Sequence, residues 1–297
     1  MQVIIEPHPE RHLTPEQRVA RAGLGFVYHE SSQPFYKLRV LLRNLETTPA
    51  LYVNGVKKWI YQIPRLISFL RTVEDINLHQ TIKLHGGAVI DPRHRGVVIT
   101  GWHDVGKTTA CIRLIQSGYT LLGDDLIKLR ESGTIERLQS RAGIYPHADN
   151  LKNFTLSPVD RWKAWFKLRF AQLPAIGNFV QPNLIVDYSL IGPTAGEAKL
   201  HRVYFLERGL LGVDAITTET AVIKAMATSA DFAMPDGFPR RLFYAYCYAN
   251  QTSPTLVEDA QRHIFSSAFA NKDLWVIRGR THDELYRQLV ANEQRYH

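Results

Sequence analysis

The sequence predicts an α/β protein, a mixed sheet with flanking helices, and three observations carry that prediction. A β-branched run, Gly96-Val97-Val98-Ile99-Thr100, leads directly into a glycine-bounded loop, Gly101-Trp102-His103-Asp104-Val105-Gly106-Lys107-Thr108, and an amphipathic stretch from Thr108 to Ser117 follows. A second extended run, Tyr119 to Leu122, then ends at Gly123-Asp124-Asp125. Farther on, strand-like runs at Leu184 to Val186, Val203 to Leu206 and Leu274 to Ile277 alternate with helical patterns near Thr220 to Ala227, Pro254 to Ala268 and Asp283 to Ala291. Such alternation is the signature of helices packed on a sheet.

Each element has a local reason. Leu51-Tyr52-Val53 and Val56 to Ile60 flank Asn54-Gly55, two residues that accept positive φ, which predicts a type I′ hairpin. Ile63, Leu66, Ile67, Leu70 and Val73 recur at helical spacing. Leu84 to Ile90 is an apolar strand, and Asp91-Pro92-Arg93-His94-Arg95 turns the chain back into Gly96 to Thr100. The helix after the loop has Cys111, Leu114 and Ile115 on one face and stops at Gly118, where a left-handed cap needs no Cβ. Leu126 to Leu129 continues extended toward a Glu131-Ser132-Gly133-Thr134 turn. Ser157-Pro158-Val159-Asp160 opens a basic, aromatic helix over Arg161 to Phe170, its aromatics expected in a core or oligomer contact and its cations in water. Thr281-His282-Asp283-Glu284 has the form of a capping box.

With 297 residues, 45% hydrophobic and 22% charged, the chain can bury one large core and carries no biased tract that would stay unfolded. No Pro/Gly/Ser-rich linker divides it. The economical organisation is a mixed α/β portion over residues 1–80 packed on a core over residues 81–297. Two distant cysteines, Cys111 and Cys247, lack the neighbours of a zinc or redox site and suit a reducing cytoplasm. The N-terminus meets Glu6 and Pro7 too early for a secretory segment, and no run of 18 apolar residues follows, so neither export nor a membrane is expected. The net charge of +8 is spread along the chain, which fits an anionic ligand better than a nucleic-acid track.

The loop matches G-x-x-x-x-G-K-[ST], in which every fixed position has a physical duty. Gly101 and Gly106 let backbone N–H groups turn inward, with Trp102, His103, Asp104 and Val105 between them. Lys107 brings a cation to the β/γ oxygens of a nucleotide, Thr108 offers a hydroxyl to Mg²⁺, and Thr109 belongs to the same helix N-terminus, whose dipole favours anions. ATP with Mg²⁺ is therefore the expected ligand pair. Asp124 and Asp125 end the next strand, where one carboxylate can hold the metal and a second can take a proton from an attacking hydroxyl. His85 lies on the strand that pairs with the one entering the loop; read alone, it is either a satisfied core histidine or a partner for the acids.

Taken together, Leu84-His85-Gly86-Gly87, the loop, the helix ending at Gly118-Tyr119, and Leu122-Gly123-Asp124-Asp125 resemble the catalytic core of HPr kinase/phosphorylase and its wider kinase relatives, including kinases of lasso-peptide precursors. The resemblance spans roughly Ile82 to Leu129. It implies a fold of the HPr kinase/phosphoenolpyruvate carboxykinase type, nucleotide and metal at Lys107 and Thr108, metal binding and general-base duty shared by Asp124 and Asp125, and His85 lining the site. The Glu-containing signature that follows the acid pair in HPr kinases is not recognisable; Arg141-Ala142-Gly143-Ile144-Tyr145 stands in a comparable place, and an Arg141 guanidinium would suit transition-state charge.

Three functions follow as expectations: a kinase acting on a serine or threonine of a protein or peptide, a kinase of a small-molecule or nucleic-acid hydroxyl, and a nucleotide-dependent switch or ATPase. A homo-oligomer is compatible with each.

Overall fold

The computed structural model describes residues 1–33, 36–54, 62–139, 141–144, 158–171, 184–233 and 237–295. The chain divides into two compact units, Met1–Lys83 with Ser229–Phe265, and Leu84–Thr228 with Ser266–His297. The class is mixed α/β, as the alternation of patterns predicts.

In the first unit, strands β1 (Gln2–Ile5), β2 (Ala22–Gly23), β3 (Phe26–Gln33), β4 (Tyr36–Arg43) and β5 (Ala50–Val53) form one sheet in the order β1-β5-β4-β3-β2. The expected strand Leu51 to Val53 is β5, antiparallel to β4 and parallel to β1; the other arm of the Asn54-Gly55 hairpin lies outside the described residues. The helical spacing after it becomes α2 (Gln62–His79), which buries Leu66, Phe69, Leu70 and Val73. Phe69 meets Phe243 of α6 (Phe238–Asn250) edge to face at 5.3 Å. Helix α6 was not anticipated, although Pro239 in its first turn is a favourable start. The short α1 (Pro15–Ala20) was missed too, and its signal is plain: Gln17 N–H donates to Thr14 Oγ1 while Thr14 N–H donates to Gln17 Oε1.

The second unit is built on a mixed sheet of β6 (Thr81–Ile90), β7 (Gly96–Gly101), β8 (Thr120–Gly123), β9 (Leu126–Arg130), β10 (Thr134–Arg137), β13 (Glu197–Arg208), β14 (Gly212–Ala215) and β15 (Asp273–Gly279), with the path β10-β9-β6-β7-β13-β15-β14 and β8 also on β6. Strands β11 (Arg141–Ile144) and β12 (Leu184–Asp187) pair separately. Asp91 closes the β6–β7 hairpin by accepting from the N–H groups of Arg93 and Arg95, both at 2.9 Å. Strand β6 is antiparallel to both β7 and β8, whereas β13 is parallel to β7. Hence β7, β8 and β13 all end at one edge of the sheet, and the Leu84–Gly86 segment of β6 begins there.

Helix α3 (Lys107–Gln116) packs Cys111, Leu114 and Ile115 against Val97 and Ile99 of β7. It ends as expected: Gly118 has φ +95°, its N–H donates to Ile115 O, and the Tyr119 N–H reaches Leu114 O. Helices α5 (Thr218–Ala233), α7 (Leu256–Phe269) and α8 (His282–Gln294) occupy the three later helical patterns. At α8 only half of the expected box forms. Thr281 Oγ1 accepts from the Glu284 N–H, but the Glu284 carboxylate reaches back to the N–H of Arg280 instead of Thr281. Helix α4 (Pro158–Ala171) is present, with its Ser157 cap outside the described residues. Its Trp162, Trp165 and Phe166 are exposed and not in a core. Among the described residues, no helix is long and apolar enough to cross a membrane.

A buried polar cluster ties α8 to the sheet. Glu293 accepts from Tyr119 Oη at 2.7 Å, from Tyr204 Oη at 2.6 Å, and from the fully buried Arg202 guanidinium. Removing the carboxylate would strip a fully buried guanidinium of a charged partner and leave Asp273 at 3.4 Å. Glu293→Ala is therefore expected to lower unfolding free energy by about 3–5 kcal/mol, read by denaturant titration.

Candidate functional site

The loop after β7 is shaped by two close approaches. Gly106 has φ +101°, and a Cβ there would lie 2.7 Å from the His282 ring. Upstream, a Cβ on Gly87 would overlap the Cys111 sulfur, so the second glycine after His85 is what lets α3 sit on β6. Val105 is buried in the cluster beneath the loop. Lys107 Nζ donates to Gly101 O at 3.0 Å and Trp102 O at 2.8 Å, which holds the ammonium over the loop. Burial pushes its proton affinity down, against the pull of Asp125, Asp124 and Asp104. Thr108 and Thr109 occupy the first turn of α3 and Asp104 is exposed on the loop with φ +57°.

The acid pair is brought beside this loop by the sheet. Thr108 Oγ1 donates to Asp124, 3.0 Å from Oδ1 and 3.3 Å from Oδ2. The two aspartates sit in opposite environments. Asp124 is buried, and the loss of water raises its pKa to about 6 against the hydrogen bond from Thr108. The Asp125 side chain is 60% exposed, and its hydrogen bond with His85 holds its pKa low. His85 Nε2 lies 3.4 Å from Asp125 Oδ1.

His85 is itself buried and anchored. Thr100 Oγ1 donates to its carbonyl at 2.7 Å, and the next residue, Gly86, donates its N–H to Asp125 O at 3.0 Å. Asp125 sits at φ +65°, a conformation that Asp tolerates better than most residues. The His103 ring lies 4.8 Å from the His85 ring and 5.5 Å from that of Trp102. Of the residues singled out in the sequence, the structure thus gathers His85, His103, Lys107, Thr108, Asp124 and Asp125. Arg141 opens β11, and what its guanidinium does lies outside the described residues.

Two residues of this site were not read from the sequence. Tyr188, buried just after β12, accepts from the Asp124 N–H at 2.7 Å and donates to the Asp124 carbonyl at 3.2 Å. His282, at the start of α8, lies with Nε2 3.2 Å from Asp104 O, and Arg113 of α3 pairs with Asp283 at 2.5 Å. Both act across long sequence separations, and a tyrosine or histidine in isolation gives no signal of that.

The raised pKa of Asp124 has a thermodynamic consequence. The folded chain keeps this proton after the unfolded chain has released it, so the stabilisation is complete below about pH 4 and is lost as pH rises to about 6. Without metal or nucleotide, Asp124→Asn is expected to melt higher than the parent at pH 7, by about 2–3 kcal/mol of stability at most. The difference should vanish near pH 4 in thermal melts across that range.

No protein-family model matches the chain. Curated relatives do. The HPr kinase/phosphorylase of Listeria welshimeri is 28% identical over 156 residues, 45% of this chain and 49% of that enzyme. The HPr kinase/phosphorylase of Clostridium novyi is 28% identical over 98 residues, 31% of this chain and 32% of that one, and that of Clostridium tetani 26% identical over 125 residues, 40% and 39%. The chain spans at most about half the length of these relatives. A solved HPr(Ser) kinase/phosphatase from Coxiella burnetii matches 45% of this chain and 70% of its own at 16% identity and a TM-score of 0.27, a likeness too low to build on. Over the matched residues, the chain is similar to HPr kinase/phosphorylases.

Proposed function

We propose that this chain is an ATP-dependent phosphotransferase that moves the γ-phosphate to a hydroxyl, that of a serine or threonine on a protein or peptide. The observation that carries the reading is the division of environments within the acid pair: Asp124 buried against Thr108 of the phosphate loop, Asp125 exposed and held by His85. A protein that uses ATP in this way belongs in the cytoplasm. The protein or peptide acceptor is taken from the relatives, whose name makes HPr their substrate.

The residues fit Mg²⁺. A hydroxyl and a dehydrated carboxylate 3.0 Å apart are hard oxygen donors short of positive charge. Among the described residues, no three His, Cys, Asp or Glu side chains form a metal cage, so Mg²⁺ held here would need ligands from the substrate and water as well. When bound, such an ion would offset the negative charge of the phosphates. In this reading Thr108 and Asp124 hold the metal, and Lys107 with the loop N–H groups cradles the β/γ-phosphates. Asp125 accepts the proton of the acceptor hydroxyl as that oxygen bonds to the γ-phosphorus and the bond to the β-phosphate oxygen breaks, which releases ADP. His85 keeps Asp125 ionised and aimed.

Three variants check these roles by labelled phosphate transfer alongside thermal melting. Lys107→Ala is expected to abolish transfer with the fold intact, because it uncovers phosphate charge without touching the core. Asp125→Asn should slow transfer about 10²–10⁴-fold with no relief from added Mg²⁺, since an amide cannot take the proton. Asp124→Asn should recover part of its lost rate as Mg²⁺ is raised, since an amide still offers one oxygen. The function itself is tested by a screen of ³²P transfer from ATP to protein, peptide, RNA and metabolite pools. Label on serine or threonine supports it; label on RNA or a metabolite moves the acceptor to another hydroxyl. Fast hydrolysis with no phosphorylated product overturns it in favour of an ATPase or switch.

A further inference from the structure

A pocket of about 450 Å³ opens against the phosphate loop at the end of β13. It is lined by buried Phe205 and Leu206 of β13, by Trp102 of the loop, and by Ala227 of α5, with Glu207, Arg208 and Lys224 as its charged residues. Its position follows from the sheet. Strand β7, which feeds the loop, has β6 as one neighbour, with β8 beyond it, and β13 as the other. His85, Asp124 and Asp125 all lie on the β6/β8 side. If the terminal phosphate faces those groups, a phosphate chain laid over the N-terminus of α3 sends the rest of the nucleotide toward β13.

The lining fits what would arrive there. Trp102 is 63% exposed, an unusual place for the largest apolar side chain, and an aromatic face beside an apolar slot is the chemistry that takes up a planar base. The charged residues have partners of their own: the Glu207 carboxylate is paired with Lys224 and lies 3.3 Å from Arg278 Nε, and the Arg208 guanidinium donates to Arg280 O at 2.8 Å. That leaves stacking and shape as the means of recognition, and the volume is within the range of small-molecule sites. We infer that this pocket holds the base and ribose of the nucleotide, with the Trp102 indole stacked on the base. The inference rests on the phosphate-loop reading above and extends it to the part of the ligand that the loop motif does not address.

The test uses two ligands that share a phosphate chain: ATP, and inorganic tripolyphosphate, which has no nucleoside. Each is titrated with Mg²⁺ into the full chain by calorimetry, with melting curves recorded for every variant. Ala227→Trp, which fills the pocket from α5, is expected to weaken ATP at least about tenfold, the scale of a lost stacking contact, and to change tripolyphosphate by less than about twofold, the scatter of an uncoupled site. Trp102→Ala should lower the preference for ATP over tripolyphosphate about tenfold, and Trp102→Phe should restore most of it. Because Trp102 is exposed, its variants carry the test even if Ala227→Trp fails to fold. An unchanged preference in the folded variants, or parallel losses for both ligands, overturns the pocket assignment. A parent protein that binds neither ligand overturns the phosphate-loop reading instead, and this inference falls with it.

Discussion

A carboxylate removed from water is costly unless something positive or a set of N–H donors answers it, and the hydrogen bonds of Thr108 and the Asp125 N–H, with the Lys107 charge, offset only part of that cost for Asp124. Its backbone is pinned as well: Tyr188 holds both the N–H and the C=O of the same residue. Beneath it Cys111 fills the space that Gly87 leaves, and burial pushes that thiol's pKa up, so it remains a neutral packing group. The neighbouring Asp125 turns outward through a positive φ and finds His85. Two adjacent, chemically identical side chains thus differ in proton affinity because one turn of backbone sends them to opposite sides of the protein surface.

That arrangement needs the phosphate loop to hold still, and much of what steadies it comes from the far end of the chain. His282 packs where Gly106 has no Cβ, Arg208 links Arg280 O to the loop, and Arg113 joins α3 to Asp283 and to the Tyr286 ring. Helix α8 is in turn fastened at its other end through Glu293, Arg202, Tyr204 and Tyr119. Since Tyr119 also closes the cap of α3, one carboxylate connects the end of the loop helix, a central strand and the C-terminal helix. Buried ionic clusters of this kind favour one register over others more than they add raw stability.

The site is asymmetric about β7. On one side stand the acids and His85; on the other, a largely apolar slot in which Glu207 pairs with Lys224. Parallel strands make such a division natural, because their carboxyl ends share one edge and the crevice there is lined differently by each neighbour. The exposed aromatics of α4 are a separate feature: Trp162 stacks on Phe166 at 5.2 Å, and Arg169 lies 5.6 Å from the centre of the Trp165 ring, so the face is partly satisfied by its own neighbours along the helix.

The phosphate loop, the helix after it, the Gly118 cap and the Asp91 turn were legible because each is a short-range pattern in which neighbouring residues satisfy one another. The acid pair was legible as a pair, and so was the histidine before Gly86-Gly87. What α6 buries, where the aromatics of α4 face and how half of the α8 box is replaced were not, since aromatic-rich stretches give weak periodicity and capping partners one residue apart look alike in sequence. The sequence by itself determined the glycine-bounded loop, its lysine and threonine, and the adjacent acids, because those patterns reside in side chains and their local spacing. Only the tertiary structure decided which aspartate is buried and which is open, that Tyr188 and His282 belong to the site, and that a slot lies on the β13 side of the loop. Burial and long-range contact depend on strand order, and strand order is a property of the folded sheet.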